Sequence, residues 1–456
     1  MSTPFRFPPI LLEAQQLRSG GFFRLMLQAA AVGVGGGAVI GFFRLCCDWS
    51  HNIITELLQD GNIWTWQGAA IIAGTLLVLA LTAGYIVRRE PLLSGSGIPQ
   101  VELAVAGHLP LHWGRILAGK FMGTWIALTG GLSLGREGPC IQMGAAVGSR
   151  IGQFWDSTGP RFLIGGSVAG LSAAFSAPLG GMFFAFEEMK AILSVPLLLF
   201  TSVAVLTSWA VVDGFMGFGL VFPFHDIIPL RWTQLWLGIM LGVVMGVLGA
   251  GYNAGMMGLT HAADRQHWLP GWLRSAIPFA CSGALLYLYP TVLAGMGPTT
   301  PELADGAVPL RALGLLLAVK VAYSILCTAS GVAGGILMPL LLIGGMAGAC
   351  ATPLLVDIGA VETTQGTAIF LMGMAGFFAA SVRSPLTGAA LVTEMGGAWN
   401  CAPEMLLVSI TATIVANNMN SLPIYDSLRT RIMRARAKDP QYAPAGPPKP
   451  PPSLPA

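Results

Sequence analysis

Gly-Leu-Ser-Leu-Gly-Arg-Glu-Gly-Pro, residues 131–139, places an arginine and a glutamate in the middle of an otherwise apolar tract. The adjoining segments, 121–135 and 138–149, carry no charged side chain. A charged side chain at membrane depth costs about 2.5–3.5 kcal/mol and usually lines a path for water or ions. The glycines and the proline are typical of a helix that breaks inside the protein and restarts with free backbone amides. We therefore expect Glu137 to be the most important functional residue of the chain.

The composition predicts an all-α, polytopic membrane protein. Of the 456 residues, 54% are hydrophobic and 10% are charged, whereas about 25% are charged in a typical soluble domain. Several charge-free stretches exceed the 20 or so residues that a helix needs to cross a bilayer. These stretches include 25–43, 67–87, 163–186, 232–260, 321–356 and 405–425. The shorter, glycine-interrupted stretches around residues 131–139 predict broken and re-entrant helices as well.

The charge distribution predicts the topology. Basic residues gather at both ends of the chain, namely Arg6, Arg18, Arg24, Arg429, Arg431, Arg434, Arg436 and Lys438. By the positive-inside rule we expect both termini to be cytoplasmic, in a multi-pass protein of the bacterial inner (plasma) membrane. No short basic segment with a cleavage site precedes the first apolar run, so we expect no removed signal peptide. Nothing in the net charge of +3 suggests a nucleic-acid partner.

Four regions follow from these patterns. We expect a cytoplasmic N-terminal segment at 1–20, a first membrane repeat at 21–210 and a second at 211–430. Residues 431–456 are basic and then proline-rich, which predicts a disordered cytoplasmic tail. A recognition peptide for a partner is the alternative for that tail.

The two membrane regions repeat each other at a shift of 200 residues. Fourteen identities fall within 54 positions, whereas about four or five are expected by chance. They include the pairs Gly95/Gly295, Lys120/Lys320, Gly131/Gly331, Gly135/Gly335, Pro139/Pro339 and Gly144/Gly344. The shift then becomes 206–207, where Pro178 matches Pro385 and Glu188 matches Glu394. Matched glycine-broken segments indicate a transport site between the halves; a duplicated scaffold without a shared site is the alternative.

Two of the candidate site segments lie in the first repeat. Gly-Ser-Gly-Ile-Pro at 95–99 combines a hydroxyl with the free amides of a helix N-terminus, which attract anions. A plain N-cap is the alternative. The second segment is 135–139, for which a local Arg136–Glu137 pair at the membrane interface is the alternative.

The other two segments lie in the second repeat. Gly-Gly-Ile-Leu-Met-Pro at 334–339 has the same glycine break without a charge, so its amides remain available. Tyr425 ends the last apolar run, where a tyrosine of the interfacial aromatic belt is the alternative.

These four segments, in this order and spacing, resemble the CLC family of chloride channels and chloride/proton exchangers. The resemblance extends over nearly the whole chain, to Tyr425. It implies a homodimer in which each subunit has two inverted repeats and its own anion path. The series Gly238, Gly242 and Gly246 permits close helix packing.

The resemblance also implies roles for single residues. The hydroxyls of Ser96 and Tyr425 would coordinate the central anion together with the amides of Ile336 and Leu337. Glu137 would be the gate: ionised it fills the outer anion site, and protonated it swings away. The backbone around this site would also take part, at Gly97, Ile98, Arg136 and Gly138.

Three further features bear on the predicted mechanism. Lys120 matches a buried lysine that favours anions electrostatically, with a structural ion pair as the alternative. Glu188 matches the internal proton-transfer glutamate of exchangers, with an acidic helix end in water as the alternative. Leu337 stands where the family commonly has phenylalanine, so we expect an inner gate that is looser or differently shaped.

The sequence therefore predicts a chloride/proton antiporter, with a passive chloride channel of the same family as the alternative. Bromide and nitrate are further expected anions, and membrane lipid surrounds the protein. We expect no cofactor and no metal. An intramembrane enzyme is not expected, because the sequence has no HExxH motif and no clustered histidines. A cation-coupled carrier for organic solutes is the other rival.

Overall fold

The chain folds almost entirely into helices, as the composition predicts. The computed structural model describes residues 21–59, 64–155, 159–191, 194–217, 219–224, 227–266, 269–288, 303–304 and 308–437. Within these ranges there are sixteen α-helices, and the only β pairing consists of two isolated bridges. The expected segments 1–20 and 438–456 lie outside the described residues.

The helices are numbered here in chain order. They are α1 (Gly21–Gln59), α2 (Trp66–Arg89), α3 (Ile98–Val105), α4 (Trp113–Thr129), α5 (Glu137–Phe154), α6 (Pro160–Phe175), α7 (Pro178–Glu187), α8 (Val195–Met216), α9 (Trp236–Arg265), α10 (Ala276–Leu288), α11 (Leu310–Ala329), α12 (Leu337–Asp357), α13 (Gly366–Val382), α14 (Pro385–Gly396), α15 (Ala402–Asn418) and α16 (Ile424–Ala437).

Eight helical segments of the described chain are long and apolar enough to cross a membrane. They are Gly21–Ile54, Trp66–Arg89, Val195–Gly214, Trp232–Arg265, Leu310–Ala329, Leu337–Asp357, Thr363–Val382 and Trp399–Asn418. Between them lie helices that are too short to span a bilayer of about 30 Å, such as α3 with 8 residues and α7 with 10. The prediction of a polytopic protein with broken helices is confirmed.

The breaks fall where the backbone leaves the helical region. The charge-free run 163–186 is two helices, because α6 ends at a left-handed Ser176 with φ 52° and α7 begins with a proline. The run 321–356 is likewise interrupted after α11, where Gly331 has φ 79°. Glycine adopts positive φ at no steric cost, whereas serine adopts it less readily. The second of these breaks leaves the N-terminus of α12 inside the protein.

The two halves of the chain carry matching helices in the same order. Helices α4, α5, α6, α7 and α8 of the first half correspond to α11, α12, α13, α14 and α15 of the second. The equivalent residues Gly135 and Gly335 form an antiparallel bridge, in which each amide donates to the other's carbonyl at 2.7 Å. Equivalent residues that pair in opposite directions are related by a local two-fold axis, as inverted repeats require.

Two glutamates repeat this symmetry at helix N-termini. The Glu187 carboxylate accepts bonds from the amides of Leu386 and Thr387 at 3.0 and 2.7 Å, at the start of α14. The Glu394 carboxylate accepts bonds from Leu179 and Gly180 at 2.9 and 2.8 Å, at the start of α7. The structural partner of Glu394 is therefore Glu187, at a shift of 207, and not Glu188.

Several glycines of the repeat serve helix packing. A Cβ on Gly144 would contact the Gly166 carbonyl between α5 and α6, and a Cβ on Gly344 would contact the Gly373 carbonyl between α12 and α13. Gly242 and Gly246 face α15 of the same chain, at Thr411 and Val415. These glycines therefore support packing within the subunit.

The described C-terminal residues differ from the expected disordered tail. Residues 431–437 belong to α16, so the prediction of disorder is wrong for them. Arg431 makes a bidentate ion pair with Asp264 at 2.7 Å, which fastens α16 to the end of α9. Helix α8 also runs through residue 210, and we therefore propose that the division between the repeats lies between α8 and α9.

Candidate functional site

The loop that precedes α3 forms the centre of the site. Gly95 and Gly97 have φ of 68° and 95°, values that glycine adopts without strain. The Gly95 amide donates to the Val332 carbonyl at 3.1 Å, and the Gly334 amide donates to the Gly95 carbonyl at 3.0 Å. The first and third predicted segments are thus joined through their backbones.

Ser96 and Tyr425 supply two buried hydroxyls at this point. Ser96 is 4% exposed, and Tyr425, at the start of α16, is fully buried. The two hydroxyls lie near each other, yet neither meets the geometry of a hydrogen bond with any described residue. Both O–H groups are therefore available to an anion, and full burial excludes the interfacial belt as the role of Tyr425.

The N-terminus of α5 comes next to Ser96. A Cβ on Gly138 would contact the Ser96 hydroxyl, so only a glycine permits this approach. Helix α5 begins at Glu137, and the first amides of any α-helix lack partners within the helix. These amides and the Ser96 hydroxyl therefore converge on one space.

The Glu137 side chain lies where two helix N-termini meet. Its carboxylate is fully buried and faces the backbone amides of Arg136, Glu137 and Met338. Its oxygens do not meet hydrogen-bond geometry with any described residue. A Cβ on Gly135 would contact this carboxylate, which explains the glycine there. The carboxylate thus occupies a position that suits an anion, and no hydrogen bond to a described residue holds it there.

The amides of the third segment lie on the opposite side. Helix α12 begins at Leu337, with Ile336 as its N-cap, and both residues are fully buried. The amides of Ile336, Leu337 and Met338 precede the first intrahelical donor, Leu340. The replacement of phenylalanine by leucine at 337 leaves this row of donors intact, since every residue but proline keeps its amide.

Arg136 pairs with a residue from another helix. Its guanidinium lies 3.4 Å from the Asp48 carboxylate of α1. The alternative of a local pair with Glu137 at the membrane interface does not describe this geometry. The arginine is 8% exposed, so the ion pair holds the start of α5 against α1 within the protein.

Lys120 is bonded to the central loop. Its ammonium group is fully buried and donates to the carbonyls of Leu93 and Gly95 at 3.0 and 2.6 Å. No ion pair of Lys120 occurs among the described residues, so the alternative of a structural ion pair is not what these residues show. Its Nζ atom is held directly behind the backbone that presents Ser96.

A pair of carboxyl groups lies near Tyr425. Glu188 is 5% exposed and accepts a bond from the Ser384 hydroxyl at 3.0 Å. Its neighbour Glu102 is 6% exposed and lies 3.1 Å from the Arg429 guanidinium. Glu188 is therefore buried rather than part of a solvated helix end.

Burial controls the protonation of this pair, which lies outside the membrane-spanning segments. Burial raises the pKa of Glu102 to about 7, although Arg429 and Lys190 oppose the shift. Burial and the neighbouring Glu102 raise the pKa of Glu188 well above its ordinary value. Two carboxyl groups in contact share protons more readily than they carry two charges. The pair can therefore hold and release a proton near neutral pH.

Several residues of this site have no functional signal in the sequence. Glu102 matches only its repeat equivalent Glu302, and its partner Arg429 indicates only the topology. Ser384 and Asp48 carried no signal at all. One clue was available: Glu102 follows the Gly-Ser-Gly-Ile-Pro segment by about one helical turn and lies in the short helix that the segment begins.

The described residues offer little for enzyme chemistry. Gly131–Gly135 has the Gly-x-Ser-x-Gly spacing of serine hydrolases. The Ser133 hydroxyl is buried without a hydrogen-bond partner among the described residues, so no base is in place to activate it. Those residues also include no cluster of three or more metal-ligating side chains.

The chain is similar to known proteins over most of its length. A family model described as "Voltage gated chloride channel" matches residues 78–417. The H(+)/Cl(-) exchange transporter ClcA of Vibrio campbellii (strain ATCC BAA-1116) is 31% identical over 435 residues, covering 90% of each chain. ClcA of Yersinia pseudotuberculosis serotype IB (strain PB1/+) is 30% identical over 422 residues, covering 90% of this chain and 88% of its own. The crystal structure of a slow cyanobacterial Cl-/H+ antiporter has a TM-score of 0.82 at 24% identity, covering 90% of this chain and 98% of its own.

Proposed function

The chain belongs to the voltage-gated chloride channel family, and from this premise we propose that it exchanges chloride for protons across a membrane. The observation that carries the proposal is the position of the Glu137 carboxylate. It faces amides from the N-termini of both α5 and α12, beside the free hydroxyls of Ser96 and Tyr425. A carboxylate and a halide need the same N–H and O–H donors, so they compete for this position.

Competition links the two ions. When Glu137 is ionised, its charge is attracted to the helix N-termini and the outer part of the path is filled. When Glu137 is protonated, that attraction is lost and chloride takes the amides instead. Each proton that binds Glu137 therefore favours chloride occupancy, and by linkage chloride favours protonation.

The carboxyl pair supplies the second proton-binding point. Glu188 and Glu102 are buried together near Tyr425, where burial raises the pKa of Glu102 to about 7 and raises the pKa of Glu188 well above its ordinary value. A proton held there can be passed towards Glu137 without using the chloride path. This arrangement favours exchange over passive conduction.

The substrates and setting follow from the same chemistry. We propose chloride as the main anion, with bromide and nitrate as further substrates because both accept hydrogen bonds from the same N–H and O–H donors. We also propose a homodimer in lipid, in a bacterial inner membrane, with both termini in the cytoplasm. Exposed tryptophans at 64, 66, 232, 236 and 399 lie at helix ends that are remote from the basic α16. Tryptophans are enriched at membrane–water interfaces, which supports an interface at those helix ends.

Proton movement driven by chloride tests the proposal. The protein is reconstituted into liposomes, and a chloride gradient is imposed while the external pH is recorded. We expect uphill proton movement in the wild type. Chloride flux without any proton movement would leave only the passive channel, and flux that depends on an organic solute would favour the carrier.

A variant of the gate makes the test specific. Glu137→Gln removes the charge that competes with chloride, so we expect proton coupling to be abolished while chloride flux continues. Glu362→Gln is the matched control, because Glu362 lies exposed in an ion pair with Arg231, outside the proposed path. Full coupling in Glu137→Gln would refute the role of that glutamate.

A further inference from the structure

A wide vestibule leads to the anion site from the side of α16. It has a volume of about 1850 Å³, and its inner wall includes Gly95, Ser96 and Ile336. Its outer wall is built by the ends of α2 and α9, the start of α4 and one face of α16. Pockets for whole small molecules are commonly about 300–1,000 Å³, so this space admits ligands far larger than chloride.

The vestibule wall is strongly basic. Seven arginines and two histidines line it, against the two carboxylates of Glu90 and Asp264. Arg431 is committed to Asp264 at 2.7 Å, and Arg274 lies 3.8 Å from the same carboxylate. Asp264, one of the two carboxylates, is therefore already paired with arginines of the wall.

Three of the arginines remain available. Arg115, Arg265 and Arg434 are exposed and line the vestibule from α4, α9 and α16 respectively. None of them has a hydrogen bond or an ion pair to the part of the chain that the structure describes. Three guanidinium groups from separate helices therefore face one space without a protein partner.

The guanidinium group selects the class of ligand. Its planar set of donors matches the oxygens of phosphate in pairs, whereas a halide offers a single point of contact. We propose that this vestibule binds a soluble polyphosphate, of the inorganic triphosphate or nucleoside triphosphate class. Because its inner wall reaches Ser96 and Ile336, the bound polyanion closes the anion path from this side. The blocking effect rests on the proposed function, but the binding itself does not.

Calorimetry measures the binding without any transport. The protein is placed in phosphatidylcholine nanodiscs and titrated with sodium tripolyphosphate, with sodium gluconate of equal ionic strength as the reference. We expect saturable binding that is about tenfold weaker in the double variant Arg265→Gln/Arg434→Gln, since each hydrogen bond to a charged group contributes appreciably. Arg231→Gln is the matched control, because this arginine is exposed and does not line the vestibule. No saturable binding, or equal binding by both variants, would overturn the proposal.

A second arm separates the soluble ligand from a lipid headgroup. The titration is repeated in nanodiscs that contain phosphatidylglycerol. If the affinity for tripolyphosphate is unchanged, the arginines bind a soluble polyphosphate. If tripolyphosphate no longer binds, anionic lipid headgroups occupy the arginines, which contradicts the proposal.

Flux measurements test the block itself. In phosphatidylcholine liposomes, we expect tripolyphosphate on the vestibule side to inhibit chloride flux of the wild type more strongly than that of the double variant. A ligand that binds in calorimetry but leaves chloride flux unchanged would overturn the block alone. A wild type without any chloride flux would instead count against the proposed function.

Discussion

Three buried carboxyl groups set the chemistry at the scale of single residues. Glu137 faces helix N-termini, whereas Glu102 and Glu188 face each other beside one arginine and one serine. Burial disfavours the charged form of Glu137 and the amide donors around it oppose that effect, while the mutual contact of the pair favours a shared proton. This difference lets one glutamate compete with an anion and the other two store a proton.

The protonation of Glu102 makes stability depend on pH. A carboxyl group with a raised pKa in the folded protein stabilises it fully below the ordinary value of 4.5, and this contribution is lost as the pH rises through about 7. Glu102→Gln removes the titration, so we expect its unfolding temperature to fall less between pH 5 and 8 than that of the wild type. Scanning fluorimetry in detergent measures the difference.

The pH profile of Glu102→Gln needs a control in which a carboxylate is removed from the protein surface instead. Glu362→Gln serves, because Glu362 is exposed and paired only at the surface. Parallel pH profiles for the wild type and Glu102→Gln would contradict the raised pKa.

Lys120 gives a second prediction at this scale. Lys120→Met leaves the buried Leu93 carbonyl without a donor, which costs about 1–3 kcal/mol, and leaves the Gly95 carbonyl with the Gly334 amide alone. We expect a lower unfolding temperature and weaker chloride binding, because the loop that presents Ser96 loses its support. Calorimetric titration with chloride measures the affinity, and Arg231→Met, on an exposed arginine paired with Glu362 outside the site, is the control. Unchanged chloride affinity would show that Lys120 does not position the loop.

Local sequence indicated the residues that we propose for the anion site but not the residues that support them. Ser96, Glu137 and Tyr425 stand in short segments whose glycines and prolines indicate helix starts. The partner of Glu102 is 327 positions away in the chain, and the partner of Glu188 is 196 positions away. No pattern within a segment encodes such contacts, because tertiary packing alone brings the groups together.

Helix N-termini are the functional units at the scale of elements. Helices α3, α5, α12 and α16 all begin around Ser96, and each contributes free amides or a hydroxyl. Close packing behind these starts fixes their directions: α5 lies against α6, and α12 against α13, through contacts that only glycine allows.

Gly344 tests the packing of α12. In Gly344→Ala the added Cβ meets the Gly373 carbonyl, so we expect a loss of about 1–3 kcal/mol in stability, together with slower chloride flux as α12 is displaced. Gly314→Ala in α11 is the matched control, because its Cβ would have nothing within 4 Å. Equal unfolding temperatures for the two variants would contradict this packing.

Hydropathy located the apolar runs but not where they break. The run 163–186 reads as one spanning segment, yet α6 ends at Phe175 and α7 is only ten residues long. Its proline and glycines were visible, but the Glu394 carboxylate that satisfies the start of α7 comes from the other repeat. Helix-breaking residues therefore indicated the break, and only the fold supplies the partners that stabilise it.

The two repeats determine the site at the scale of the whole molecule. The antiparallel Gly135–Gly335 bridge and the reciprocal Glu187 and Glu394 caps show how the halves meet face to face. The sequence predicted the duplication from its matched glycines and left the direction of the halves open. The hydrogen bonds between equivalent residues show that a local two-fold axis relates the halves, which a shift in alignment does not contain.

Anomalous scattering from crystals grown in bromide tests most directly whether Glu137 and a halide compete for the same amides. In the wild type we expect a bromide peak beside the hydroxyls of Ser96 and Tyr425. In Glu137→Gln we expect an additional peak next to the Met338 amide, where the wild-type carboxylate lies. Identical peaks in both crystals, with none beside Met338, would contradict the competition.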